Sequence, residues 1–156
     1  MRSCKVESNV EKGKEPACWV LLLQLAGFLF WLFSCSEKES FQYISPQGNQ
    51  FIILHNTPPE VPVFYTTEIN SRRIDFFVIR IEGETRVFLN RCRRCFNSGL
   101  GFRFEDKYIR CRTCNVTYPV REVLKGIGSC YPIPVKARVE GRYCYINTED
   151  LLEAYK

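Results

Sequence analysis

Two Cys-x-x-Cys pairs, Cys92-Arg93-Arg94-Cys95 and Cys111-Arg112-Thr113-Cys114, stand fifteen residues apart and constrain this chain more than any other feature. A Cys-x-x-Cys on a tight turn directs both sulfurs at one point, and two such turns close a tetrahedral four-sulfur site. This separation is one at which paired knuckles share a zinc ion. Iron, alone or within an iron–sulfur cluster, uses the same ligands. Sixteen residues beyond Cys114 lies Cys130, inside Gly126-Ile127-Gly128-Ser129-Cys130-Tyr131-Pro132-Ile133-Pro134, as a possible additional ligand. The chain has nine cysteines in 156 residues and a single histidine, His55. One histidine excludes HExxH zinc sites, two-His-one-carboxylate iron sites and clusters held by two histidines. What chemistry the protein has is therefore largely sulfur chemistry.

The surroundings of the pairs are basic. Arg93 and Arg94 lie between the first two cysteines, and Arg91, Arg110 and Arg112 extend a collar around the proposed site. Nearby positive charge is expected to lower the thiol pKa of Cys92 and Cys95. The competing structural reading is a disulfide framework. Against it, five clustered cysteines leave one unpaired unless Cys144 joins them. Cys144 alternates between Tyr143 and Tyr145 in an expected strand and reads as a small buried residue.

Composition bounds the rest. With 46% hydrophobic and 25% charged residues the chain is an ordinary globular one, with room for one core of ~100–120 residues. Short β-rich stretches separated by turn signals dominate. Strands are expected over Gln50 to Leu54 and Val61 to Thr67, divided by Thr57-Pro58-Pro59. Ile74 to Ile81 (IDFFVIRI) is the most apolar and reads as a largely buried strand. It turns at Glu82-Gly83-Glu84 into Thr85 to Asn90. Two further hairpins are expected, Phe102 to Phe104 with Tyr108 to Arg110, and Val135 to Val139 with Arg142 to Ile146. Thr148-Glu149-Asp150 before Leu151-Leu152 opens a short C-terminal helix. The expected fold class is mainly β, a small antiparallel sandwich carrying two knuckles and that helix.

Residues 17–33 (ACWVLLLQLAGFLFWLF) form an apolar run, preceded by a leader with Arg2, Lys5, Lys12 and Lys14 against Glu7, Glu11 and Glu15. Residues 1–34 therefore read as a signal peptide or membrane anchor. Cys35 follows the run and is the expected lipidation site, since a cysteine just after a cut resembles the lipobox of bacterial lipoproteins. Residues 35–49 are polar and read as a linker, leaving 50–156 as the cysteine-rich domain. Either anchor places that domain membrane-tethered, facing the periplasm or cell exterior. Nucleic acid is not an expected partner there, and acids interleave the basic residues.

The order of elements (a knuckle after a hairpin strand, a short β excursion, a second knuckle leading to Tyr118, a Gly/Pro-rich loop and a last hairpin) resembles that of Rieske-type domains. Those need histidines where this chain has cysteines, so any cluster here is all-cysteine. The stretches IDFFVIRIEGETRVFLNRCRRCF, GFRFEDKYIRCRTC, GSCYPIPV and GRYCYINTEDL resemble the FtrD-like family from about Val61 to Leu152. That family is described as membrane iron–sulfur proteins associated with bacterial iron transport. The resemblance implies metal ligation by Cys92, Cys95, Cys111 and Cys114 and a glycine-cysteine-proline element at Gly128, Cys130 and Pro132. It also implies integral-membrane iron-transport or redox components as partners. The chain departs from the pattern at Asn90, where an acid is usual, and at Ser129 and Tyr131.

Three functions compete at this point. The first is an extracytoplasmic iron–sulfur electron-transfer component, non-catalytic in itself because the cluster carries the redox chemistry. The second is a zinc- or copper-binding module, structural or metal-transferring. The third is a thiol–disulfide oxidoreductase, ranked lowest because no strand–CxxC–helix pattern is present. The aromatics Phe96, Phe102, Phe104, Tyr108 and Tyr118 are expected to shield the site from water. His55 reads as a lone surface histidine.

Overall fold

The computed structural model describes residues 40–56 and 58–156. The expected signal or anchor segment and Cys35 lie outside the described residues. Eleven strands are described: β1 (Phe41–Tyr43), β2 (Gln50–Leu54), β3 (Val63–Ile69), β4 (Arg72–Ile81), β5 (Glu84–Cys92), β6 (Phe102–Glu105), β7 (Tyr108–Cys111), β8 (Thr117–Pro119), β9 (Pro132–Val135), β10 (Arg138–Glu140) and β11 (Tyr143–Asn147). One helix, α1 (Thr148–Ala154), ends the chain. The mainly β, sandwich-like class with a short C-terminal helix is what the sequence led one to expect.

The strands form three sheets, ordered β1-β3-β4-β5-β9, β10-β11-β2 and β6-β7-β8. All pairings are antiparallel except β1 with β3. The five-stranded sheet is buried on both faces. On one face Tyr65, Ile74, Phe76, Val78, Val87 and Leu89 pack against Phe51 and Ile53 of β2, Cys144 and Ile146 of β11, and Leu151 of α1. On the other, Phe64, Phe77, Ile79, Phe88 and Cys92 pack against Phe102, Ile109, Cys111 and Tyr118 of the β6-β7-β8 sheet. Successive strand residues point to opposite faces, so a strand covered on both sides must be apolar throughout. That is why IDFFVIRI has no polar alternation: Phe76 and Phe77 serve different cores.

Three expectations need correction. Part of the polar stretch 35–49, read as linker, is structural: Phe41–Tyr43 pairs with Phe64–Thr66 in parallel, and Phe41 packs on Phe64. Val135 to Val139 is not one strand. Pro132–Val135 joins β5, whereas Arg138–Glu140 joins β11, and the chain changes sheets at Lys136-Ala137. The Gly/Pro-rich loop therefore ends in a strand, tolerated because β9 lies at the edge, where missing proline N–H groups cost nothing. His55 is half-buried, with Nδ1 3.2 Å from Thr85 Oγ1, rather than a free surface residue.

Candidate metal centre

Alternation along β5 decides what reaches the site. Phe88, Asn90 and Cys92 face the β6-β7-β8 sheet, while Leu89 and Arg91 face the other way. A register shift between Leu89 and Cys92 ends the regular pairing with β9 just before the first knuckle. The chain then turns, with the Cys95 N–H donating to Cys92 O at 3.1 Å. Along β7, Ile109 and Cys111 point inward, and the second knuckle turns through Asn115 at φ 58°, whose N–H donates to Cys111 O at 3.0 Å.

The two knuckles are tied to each other and to the loop of Cys130. The Arg112 N–H donates to Gly101 O at 3.0 Å, and the Arg93 N–H donates to Tyr131 O at 2.9 Å. The Phe102 N–H donates to Asn90 Oδ1 at 2.8 Å, joining β5 to the strand after the first knuckle. Gly126, at φ +61°, is required where it stands: a Cβ there would lie 2.3 Å from Cys130 O.

These constraints bring the Sγ atoms of Cys92, Cys95, Cys111 and Cys114 within 4.8 Å of one another. Cys92 and Cys111 are buried, and Cys95 and Cys114 are half-buried. Cys130, fully buried, places its Sγ 3.6 Å from that of Cys92 and 3.3 Å from that of Cys114, one sulfur from each knuckle. Cys144 belongs to the other core, against Ile53, and burial pushes its thiol up to about 11.

The donor set fits a thiophilic metal. A tetrahedral ion with metal–sulfur bonds of ~2.3 Å holds its sulfurs ~3.8 Å apart, so the observed spread requires only small side-chain adjustments. Thiolates are the ligating form, and the thiols differ in readiness to ionise. Desolvation resists ionisation of Cys114, but the Val116 backbone N–H and the thiols of Cys130, Cys111 and Cys95 stabilise its thiolate and bring it down to about 7. Cys95 moves the opposite way, to about 12, because desolvation and the adjacent Cys92 oppose a second negative charge. The expectation that Arg93 and Arg94 would lower Cys95 is thus wrong: both guanidinium groups are exposed, where water screens them. Burial and hydrogen bonds to Cys114 and Cys92 likewise hold Cys130 protonated.

The aromatic shield is narrower than expected. Phe102 and Tyr118 are buried beside the sulfurs and Phe104 packs on the same core. Tyr108 is 52% exposed, and Phe96 packs on the other core, stacked edge-on with Tyr155. The Tyr118 hydroxyl, which sequence reasoning treated only as part of a shield, is buried without a hydrogen-bond partner. Burial, foremost, and the cluster of cysteine sulfurs beside it, which disfavours a phenolate, hold that phenol protonated, so it remains a donor. Arg91 was likewise read only as collar. Its guanidinium donates to Phe96 O at 2.9 Å and Tyr155 Oη at 2.8 Å, clamping the first knuckle to the C-terminal segment.

Among the described residues no helix is long and apolar enough to cross a membrane. No curated protein matches the chain. Among solved structures, the ferredoxin of carbazole 1,9a-dioxygenase from Nocardioides aromaticivorans IC177 is similar at 18% identity and a TM-score of 0.36, over 60% of this chain and 90% of that one. Residues 60–156 match a family described as "Membrane iron-sulfur containing protein FtrD-like", an interval that holds both knuckles, Cys130 and the strands that place them. With most of its length matched, and five sulfurs gathered in the matched part, the chain belongs to the FtrD-like family of membrane iron–sulfur containing proteins.

Proposed function

We propose that this chain is a membrane-tethered, extracytoplasmic iron–sulfur protein that passes single electrons, in support of iron transport. Cys92, Cys95, Cys111 and Cys114 are its ligands. The observation that carries the reading is the convergence of four sulfurs from two knuckles within 4.8 Å in an FtrD-like chain. Supporting the tether are the family's description as membrane proteins, the apolar run over residues 17–33 and Cys35 as an acylation site. A bound all-cysteine cluster would supply a one-electron couple at low potential. The protein's own work is to hold the sulfurs, exclude water with Phe102 and Tyr118, and set the local charge. Cys130, with its sulfur in contact with those of Cys92 and Cys114, serves as a hydrogen-bonding partner of ligand sulfur.

The sulfur spacing favours a second reading. A spread of 4.8 Å is close to that of a single tetrahedral ion, which suits one zinc or copper(I) held by thiolates without redox duty. Anaerobic isolation followed by metal and acid-labile sulfide analysis, with electron paramagnetic resonance of the reduced form, decides between them. Iron with near-equal sulfide and a paramagnetic reduced state supports the cluster. One zinc per chain, colourless and without sulfide, refutes it. Cys130→Ser should keep the metal and shift the midpoint potential; loss of metal would instead make Cys130 a ligand.

A further inference from the structure

Cys130 lies outside the four-ligand group, yet its position is fixed from both sides. The turn that carries it is closed by reciprocal backbone bonds, the Cys130 N–H donating to Ile127 O at 3.1 Å and the Ile127 N–H to Cys130 O at 3.3 Å. The next residue is tied to the first knuckle, since Tyr131 O accepts the Arg93 N–H at 2.9 Å. These ties set the Cys130 sulfur 3.3 Å from that of Cys114 and 3.6 Å from that of Cys92. A disulfide bond is ~2.05 Å long, so the sulfurs of Cys114 and Cys130 need to close by only ~1.2 Å, which small side-chain rotations supply. The neighbours differ in access. Cys130 is fully buried and Cys92 nearly so, whereas Cys114 is half-buried.

We infer that Cys114 and Cys130 form a reversible redox modification site of the metal-free chain: a hydroperoxide oxidises Cys114, and Cys130 resolves the product as an internal disulfide. The inference goes beyond the electron-transfer reading and holds whichever metal the four ligands take. In the first step the Cys114 sulfur, as thiolate, attacks a peroxide oxygen. The S–O bond forms, the O–O bond breaks, and the leaving hydroxide takes up a proton to become water. Cys114 is then a sulfenic acid, oxidised by two electrons. In the second step the Cys130 sulfur attacks that of Cys114; the S–S bond forms, the S–O bond breaks, and hydroxide leaves with the Cys130 proton as a second water. One hydrogen peroxide and two thiols thus yield one disulfide and two waters. Burial divides the roles. Cys114 is a thiol that a small oxidant reaches, and Cys130, sealed from solvent, reacts with a neighbouring sulfur. Cys95 is half-buried too, but of that pair it is Cys114 whose sulfur lies against Cys130. The disulfide takes one ligand from the four, so the oxidised chain holds no metal until a dithiol reductant, itself becoming a disulfide, returns both sulfurs as thiols.

The test uses the full chain in neutral detergent, stripped of metal under reductant and then treated anaerobically with about one equivalent of hydrogen peroxide. After alkylation under denaturing conditions, trypsin places Cys111 and Cys114 on different peptides, because Arg112 lies between them. A link between peptides 113–121 and 126–136 is expected to exceed every other cysteine pairing at least about fivefold. Zinc uptake by the treated protein should fall at least about fivefold and return after dithiothreitol. In Cys130→Ser the link is lost, and excess peroxide should drive Cys114 to sulfinic acid, which dithiothreitol does not reverse, at least about fivefold further than in the parent. The inference is overturned if the main product is a pairing within a knuckle, Cys92 with Cys95 or Cys111 with Cys114. It is also overturned if Cys114 sulfinic acid accumulates equally in the parent and in a Cys130→Ser protein that takes up zinc before treatment. The peptide map of the parent decides the matter even where that variant fails to fold. None of these outcomes alters the iron and sulfide content of the loaded protein, so this inference and the electron-transfer reading fail separately.

Discussion

Asn90 is the strut between the two halves of the sulfur site, and its removal has a calculable cost. The side chain is 5% exposed, and its Oδ1 accepts the Phe102 N–H at 2.8 Å. The following loop is pressed against it: at Gly101, φ +69°, a Cβ would stand 2.7 Å from both Asn90 O and Asn90 Oδ1. Asn90→Ala leaves the Phe102 N–H without an acceptor, beside a fully buried side chain where water has little access. An orphaned buried donor costs about 1–3 kcal/mol. With an unfolding entropy of ~2.1 cal/mol/K per residue over ~115 residues, each kcal/mol lowers Tm by ~4 °C, giving a drop of ~4–12 °C. Asn90→Asp keeps an oxygen in the accepting position and should recover at least about half of the loss. The assay is thermal unfolding by circular dichroism on metal-free, reduced protein at one pH. Melting of Asn90→Ala within about 2 °C of the parent would refute the reasoning, because the N–H would then have found another acceptor. Melting of Asn90→Asp as low as Asn90→Ala would show that the acceptor is not what matters.

Serine replacing any one of Cys92, Cys95, Cys111 or Cys114 should abolish stoichiometric metal, whereas Cys144→Ala, in the opposite core, should keep it; metal analysis of purified variants checks both. In metal-free reduced protein, iodoacetamide should label Cys114 first, with a rate that rises through a midpoint near pH 7, because its thiolate is favoured above about 7 and protonated below it. Cys95, raised to about 12, should stay slow throughout that range, and peptide mass spectrometry showing Cys95 labelled before Cys114 would contradict the assignment. Arg91→Ala removes donation to Phe96 O and Tyr155 Oη together with guanidinium contacts at 5.2 and 4.8 Å to the two rings. It should cost about 1–3 kcal/mol and speed metal loss to a chelator; Arg91→Lys should recover less than half, since an ammonium cannot fork between the same partners.

The knuckles were legible in the sequence because a Cys-x-x-Cys carries its geometry locally: three bonds' worth of turn bring the two sulfurs together wherever the strand points. The hairpin at Glu82-Gly83 was legible for the same reason, as was the one joining Phe102–Phe104 to Tyr108–Arg110, whose turn was expected at Glu105-Asp106 and falls one residue later, at Asp106-Lys107. What escaped was set by distant partners. Phe41-Gln42-Tyr43 has no strand pattern of its own and becomes β1 only because β3 offers an open edge. Pro132-Ile133-Pro134-Val135 reads as loop until an edge position beside β5 makes its prolines harmless. The thiol order was also hidden. Neighbouring arginines in sequence say nothing of desolvation, and it is the Val116 N–H and three other thiols, brought together by the fold, that single out Cys114.

Parity along β5 explains why the site exists at all. Val87, Leu89 and Arg91 belong to the core shared with β11 and α1, and Phe88, Asn90 and Cys92 to the core shared with β6-β7-β8. A one-residue slip in the pairing of β4 with β5 would exchange these sets, turning a guanidinium toward four sulfurs and a thiol toward Phe96 and Tyr155. Such a slip is opposed from both sides at once. It would pull Phe88 out of its stack with Phe77 and strand Arg91 away from its two acceptors. A sheet covered on one face resists misregister with one core; this one resists with two. The first knuckle therefore leaves the sheet at a fixed height and on a fixed side, which is what allows a second knuckle, arriving on a separate hairpin, to meet it.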